Sequence, residues 1–229
     1  MKHFFCLAAL ICFPARAYEL HGRLYEKDTD RKVLLYEWQR TEKVSGPMTE
    51  IRGIFSAPDK TVAVEERATV REGKLEKYSI QHNQLKQNAE VVVREGKLHF
   101  SLTRDGKTQT SEEDWEPNFV VAPTLVDYLG KNRDTLLQGG TVRVRYGVLD
   151  RTETIGFSFD KVEEKKVGGI DAIVVKMRPS SLFLSALVSP IFLTLRKDTF
   201  RSMELVGRTL PKRRVGDDWK DLDCEIVYQ

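Results

Sequence analysis

The chain has 229 residues, 41% of them apolar, with 37 basic residues against 34 acidic ones. That length supports one sizeable domain with a substantial core. The near balance of charge gives no argument for nucleic acid, where a basic stripe would be expected.

Residues 1–17, MKHFFCLAALICFPARA, have the layout of an export signal. Lys2 supplies the positive start, Phe4 to Phe13 the apolar run, and Ala15-Arg16-Ala17 a small-x-small cleavage site. The run is too short to persist as a membrane-spanning helix, and Ile11 is too bulky before Cys12 for a lipid-attachment signal. The expected product is a periplasmic chain, 18–229, with no transmembrane span. Lys2, Arg16, Cys6 and Cys12 leave with the leader. The exported part is then nearly neutral, and Cys224 is its one thiol, which excludes an internal disulfide or a cysteine zinc site.

From Tyr18 to about Lys107 the residues alternate with period two and break at turn chemistry. Leu20, Gly22, Leu24 and Glu26 open the pattern, and Val33 to Trp38 follows a polar stretch at Asp28 to Arg31. Gly46-Pro47 and Pro58-Asp59 bound the runs Met48 to Phe55 and Thr61 to Val70. Val70-Arg-Glu-Gly-Lys-Leu75 is echoed by Val93-Arg-Glu-Gly-Lys-Leu98, and Asp105-Gly106-Lys107 repeats the device. These are hairpin tips of an antiparallel meander, because glycine supplies the positive φ of a tight turn.

A helix is expected over Ala122 to Leu137, capped by Thr124, with Leu125, Leu129 and Leu136-Leu137 at helical spacing. Gly130 weakens its middle, so two shorter pieces are an alternative. Strands resume at Thr141 to Leu149, Thr154 to Glu163 and Ile170 to Met177. A second helix is expected within Ser180 to Pro190, where the apolar residues surround most of the circumference and require a core or cavity. Strands Ile191 to Leu195, Phe200 to Val206 and Cys224 to Tyr228 complete the chain. The fold class is mainly β: one domain, a large curved antiparallel sheet or incomplete β-barrel, with one or two short helices covering its concave face.

Chemistry is sparse. His21, His82 and His99 lie in strand-like runs without metal-ligand spacing. No phosphate cradle or nucleophile elbow occurs. The acidic pairs Glu65-Glu66, Glu112-Glu113-Asp114, Glu163-Glu164 and Asp217-Asp218 read as solvated loop acids, and Lys212-Arg213-Arg214 as a mobile charged loop. The expectation is no catalytic residue, metal or cofactor. A hydrolase would need His82 or His99 to meet an acid and a hydroxyl in one cleft.

The stretches Met177-Arg-Pro-Ser-Ser-Leu-Phe183 and Ser189 to Gly207, with Lys197-Asp198-Thr199 as a turn and Gly207 closing the second strand, resemble the Lol-type periplasmic lipoprotein carriers and the DUF3108-like exported proteins. The resemblance implies a β-barrel-like frame whose apolar concave face is closed by helices and receives acyl chains. It points to a non-enzymatic envelope protein that binds a lipid or other hydrophobic ligand. The expected lining, read from the chain's own apolar pattern, is alternate inward strand residues with Leu125, Tyr128, Leu182, Phe183 and Leu187. The alternative is an envelope interaction module with a filled core, docking another protein.

Overall fold

The computed structural model describes residues 16–229; most of the expected leader therefore lies outside the described residues. Eight strands come first: β1 (Arg16–Glu26), β2 (Leu34–Ser45), β3 (Met48–Ser56), β4 (Val62–Arg71), β5 (Lys74–His82), β6 (Gln87–Arg94), β7 (Lys97–Arg104) and β8 (Lys107–Asp114). A two-residue β9 (Phe119–Val120) leads into helices α1 (Ala122–Lys131) and α2 (Arg133–Leu137). Next come β10 (Thr141–Val148), a 3-10 turn at Leu149–Arg151, β11 (Glu153–Val167) and β12 (Ile170–Pro179). Helix α3 (Leu182–Leu187) precedes β13 (Ile191–Arg196), β14 (Ser202–Val215) and β15 (Asp218–Tyr228).

All the strands form one sheet, ordered β8 back through β1, then β15 back through β9. Strand β15 lies beside β1, where Gly22 faces Tyr228, and this ladder joins the two meanders. Every pairing is antiparallel except β9 with β10. The repeated tips behave as expected. Glu72-Gly73, Glu95-Gly96 and Asp105-Gly106 each place two successive residues at positive φ. That is the primed turn whose twist matches the strands it joins.

Alternation assigns one face inward. On β4 to β7 the inward residues include Val64, Ala68, Tyr78, Val91, Leu98 and Phe100, all buried. Arg67, Ser79, Glu90 and Ser101 face outward along an open polar groove of about 350 Å³. Two sets of elements fill much of the concave side. Phe119, Val121 and Leu149 pack on Tyr78, Leu98 and Phe100, so one edge of the sheet tucks inside the other like a scroll. Leu125, Leu129 and Leu136 of α1 and α2 pack on Val144, Phe159, Ile173, Val175 and Leu195. Leu129 and Leu136 are fully buried, and each such side chain contributes on the order of 2 kcal/mol.

The sheet is open, which corrects the expectation of a β-barrel: β8 and β9 are its two edges and share no ladder. Closure fails because β9 is only two residues long. The chain then leaves the sheet at Val121, and Pro123 in the first turn of α1 has no N–H to offer a neighbour. The expected first helix is two helices, parted at Asn132, whose side-chain amide donates to Tyr128 O at 2.9 Å. Thr124 acts from inside the first turn, its hydroxyl accepting from Val121 N at 3.1 Å.

Near the carboxyl end the strands run longer than their apolar patterns. Lys212, Arg213 and Arg214 belong to β14, not to a loop, and pair with Asp221, Lys220 and Trp219 of β15. Lys212 Nζ meets Asp221 at 2.6 Å, so cross-strand charge holds a hairpin that apolar periodicity does not reveal. Gly207 sits within β14 and does not end it. A Cβ there would stand 2.9 Å from Ile191 Cγ1, at φ +141°, so glycine permits the close approach of β13.

Candidate functional site

Strand β4 carries an acid on its apolar face. Glu66 lies between the inward residues Val64 and Ala68 and is only 5% exposed. Its carboxyl rests over Gly53 of β3, where a Cβ would come within 2.4 Å of Oε1. The missing side chain at 53 is what makes room for it. Tyr78 of β5 donates its hydroxyl to Glu66 Oε2 at 2.9 Å. The indole N–H of Trp38 is buried without a hydrogen bond, yet lies near enough to favour the ionised carboxylate. Burial outweighs these partners and the nearby Arg40 charge, and pushes the Glu66 carboxyl above its usual range.

Arg40 is two residues along β2 from Trp38. Its Nε donates to Glu42 at 2.7 Å, and its Nη2 donates to Pro123 O at 3.0 Å, which ties the sheet to the start of α1. The guanidinium charge is therefore balanced locally by Glu42.

Aromatic rings surround this cluster. Trp38 meets Tyr228 edge-on at 5.3 Å and Phe55 at 6.3 Å, and Tyr146 meets Phe157 edge-on at 5.8 Å. Trp38, Tyr146, Phe157 and Tyr228 are half-buried, although they sit on the inward face. Leu205 packs against both the α1 core and the Trp38 core, so the partly open wall is continuous between them. Burial raises the phenols of Tyr146 and Tyr228, and both also feel the charge of Glu66. Among the described residues neither hydroxyl has a hydrogen-bond partner. Neither belongs with the fully buried polar atoms left unpaired, which are Trp38 Nε1, His82 Nδ1 and His99 Nε2.

Of the expected lining residues, Leu125 is buried in the α1 core and Tyr128 packs half-buried against it. Phe183 is 74% exposed and stands in solvent, so the expectation that its segment enters the interior does not hold for this residue. Leu182 and Leu187 lie in α3, and their side chains fall outside the described residues. The physical reason is occupancy: α1 and α2 already cover the second half of the sheet, which leaves the short α3 at the end of β12. Beside it is an open groove of about 460 Å³ lined by Arg151, Glu153, Gly156, Ser180 and Ser181.

The histidines are structurally engaged. His82 Nε2 lies 3.1 Å from Leu210 O, and burial lowers its pKa. His99 Nδ1 lies 3.0 Å from Glu112. Among the described residues no three His, Cys, Asp or Glu side chains converge as metal ligands, and no helix is long and apolar enough to cross a membrane.

The acids expected in solvated loops lie in strands, Asp217 apart: Glu65 and Glu66 in β4, Glu112 to Asp114 in β8, Glu163 and Glu164 in β11, and Asp218 in β15. Glu66 is the buried centre just described, and the alternation Val64, Glu66, Ala68 was its legible signal. Glu113 is on edge strand β8, facing the other edge. It accepts from Thr154 N at 2.8 Å and from the Thr154 hydroxyl, and pairs with Arg145. Ser111 donates to Thr152 O beside it, and Gln109 to the Thr152 hydroxyl at 3.2 Å. Side chains, not a backbone ladder, stitch this seam.

No family model matches the chain, and no curated protein is detectably similar to it in sequence. Distant, fold-level likeness to solved structures exists. A β-barrel-like protein of the domain of unknown function DUF1849 from Brucella abortus has 8% identity and a TM-score of 0.46, over 94% of each chain. A candidate outer membrane lipoprotein-sorting domain from Vibrio parahaemolyticus has 9% identity and a TM-score of 0.28, over 93% of this chain and 82% of that one. A porin-like protein from Bacteroides uniformis has 7% identity and a TM-score of 0.22, over 92% and 96%. The resemblance to barrel-like and lipoprotein-carrier-like folds is weak and confined to the fold.

Proposed function

We propose that the protein is exported to the periplasm and there holds a hydrophobic ligand, a lipid or acyl chain, against its concave face without catalysing a reaction. The observation that carries this reading is the inner aromatic wall. Trp38, Tyr146, Phe157 and Tyr228 retain accessible surface on the face that elsewhere buries its apolar side chains. Such a mostly apolar concavity with a few convergent polar groups is the usual form of a small-molecule site. Each methylene buried there favours binding by about 0.8 kcal/mol. Export is supported by the leader at 1–17, whose removal would leave Tyr18 as the first residue of β1.

Protein purified from the periplasm under native conditions is expected to begin at Tyr18 and to release a lipid on organic extraction, detectable by mass spectrometry. Protein that carries no lipid, and takes up no fluorescent fatty-acyl probe after delipidation, would overturn the reading.

A further inference from the structure

The open sheet leaves one long edge bare. Strand β8 pairs with β7 along its whole length, and no strand lies on its other side. Arg104 faces Lys107 across the two-residue Asp105-Gly106 turn, so the odd-numbered residues of β8 bond to β7. The backbone N–H and C=O groups of Thr108, Thr110 and Glu112 therefore point outward. All three residues are exposed, and among the described residues nothing bonds to those backbone groups. Gln109, Ser111 and Glu113 turn inward onto Thr152 and Thr154, so the seam occupies the inner face of β8 and not its edge. The usual devices that blunt an edge are missing from it: the β7 register runs without a bulge, and Lys107–Asp114 contains no proline. Such a row of unpaired donors and acceptors is a template for another strand.

The order of charge along β8 selects the occupant. Lys107 opens the strand, and Glu112, Glu113 and Asp114 close it. A parallel copy would stack each charge on its like, whereas an antiparallel copy brings the basic end to the acidic end. Outward backbone groups meet only where even-numbered residues face even-numbered ones, which leaves few registers. With Thr110 on the two-fold axis, Thr110 faces Thr110, Thr108 faces Glu112, Gln109 faces Ser111, and Lys107 faces Glu113. No like charges are then opposed, and a threonine pair stands at the centre. Moving the axis to Gln109 sets Asp105 against Glu113, and moving it to Ser111 sets Lys107 against Trp115. Lys107 has no ionic partner among the described residues, so the first register supplies one.

We propose that two copies of the chain pair antiparallel through their β8 edges, with the two-fold axis at Thr110, and join their sheets into one. The contact is the same patch on both copies, so it closes as a dimer and does not propagate. It is independent of the ligand-holding reading.

The test is sedimentation velocity of the purified protein over a range of concentrations, where a monomer–dimer equilibrium is expected. Thr110→Pro removes the outward N–H at the axis and keeps every bond to β7, and should weaken the dimer about tenfold. Lys107→Glu opposes like charges at both ends and should weaken it about fivefold. Urea midpoints show that each variant folds, and if Thr110→Pro does not, Lys107→Glu carries the test. Register is read with a short dithiol cross-linker. Thr110→Cys is expected to link to its own copy. Thr108→Cys is not, because its two copies lie about 13 Å apart along the strands, but it should link to Glu112→Cys in a mixture. Cys224 is fully buried and does not compete. A monomer at every concentration, or a dimer that both variants leave unchanged, overturns the proposal. Self-linking at Thr108→Cys in place of Thr110→Cys overturns the register. Capture of a different protein by Thr110→Cys in a periplasmic extract, with the purified chain monomeric, would put another strand on this edge and overturn the second copy as its occupant.

Discussion

Removing Glu113 should loosen the seam and reveal how the open sheet is held shut. Its carboxylate accepts from Thr154 N, from the Thr154 hydroxyl and from Arg145, and its side chain is 22% exposed. A hydrogen bond to a charged group contributes about 1.5–3 kcal/mol, and partial exposure argues for the lower end. Glu113→Ala also leaves Arg145 with only Glu116 as an acidic partner. The expected loss is about 3 kcal/mol, well beyond the 0–1 kcal/mol typical of an exposed ion pair. Glu113→Gln keeps an acceptor for Thr154 N and should cost only about 1 kcal/mol. Urea unfolding measures both, with a shifted midpoint at constant slope. A double-mutant cycle with Arg145→Ala should give a coupling of at least about 0.5 kcal/mol, because the partners touch. A loss below about 0.5 kcal/mol for Glu113→Ala would show that the scroll is held by its core alone, and the seam argument would fail.

Three further outcomes follow from other parts of the structure. Burial raises the Glu66 carboxyl above its unfolded value, so the native state keeps its proton longer than the unfolded chain does. Stability from this group is then lost as pH rises from the unfolded value through the raised folded one. Glu66→Gln should therefore gain more relative to the parent protein at pH near 7 than at pH near 4, by thermal or urea unfolding; an equal difference at both pH values refutes this. Gly207→Ala forces a Cβ against Ile191 at φ +141°, and should destabilise by about 2–3 kcal/mol in the same assay; an unchanged midpoint contradicts the contact. Cys224 is fully buried and burial pushes its thiol up to about 11, so iodoacetamide should label it only after denaturation; rapid labelling of native protein would place it nearer solvent than it stands.

What the amino-acid order determined is local. Period-two alternation and the Glu-Gly, Glu-Gly and Asp-Gly tips specify hairpins, because turn conformation and side-chain parity depend only on adjacent residues. The same parity places Glu66 on an apolar face, a signal that reading Glu65-Glu66 as loop acids passed over. Helices around Leu125 and within the Ser180 to Pro190 stretch were legible from spacing and proline. Tertiary structure alone decided the rest. Glu113 meets Thr154 forty-one residues later, and Arg40 reaches Pro123 only because the accumulated twist of fifteen strands rolls one edge inside the other. The run Lys212 to Arg214 becomes strand because Asp221 lies opposite, a pairing set by register and not by hydrophobicity. Phe183 faces water for a related reason: α1 and α2 occupy the concave side, and periodicity within a short segment carries no information about which competing segment fills a common space.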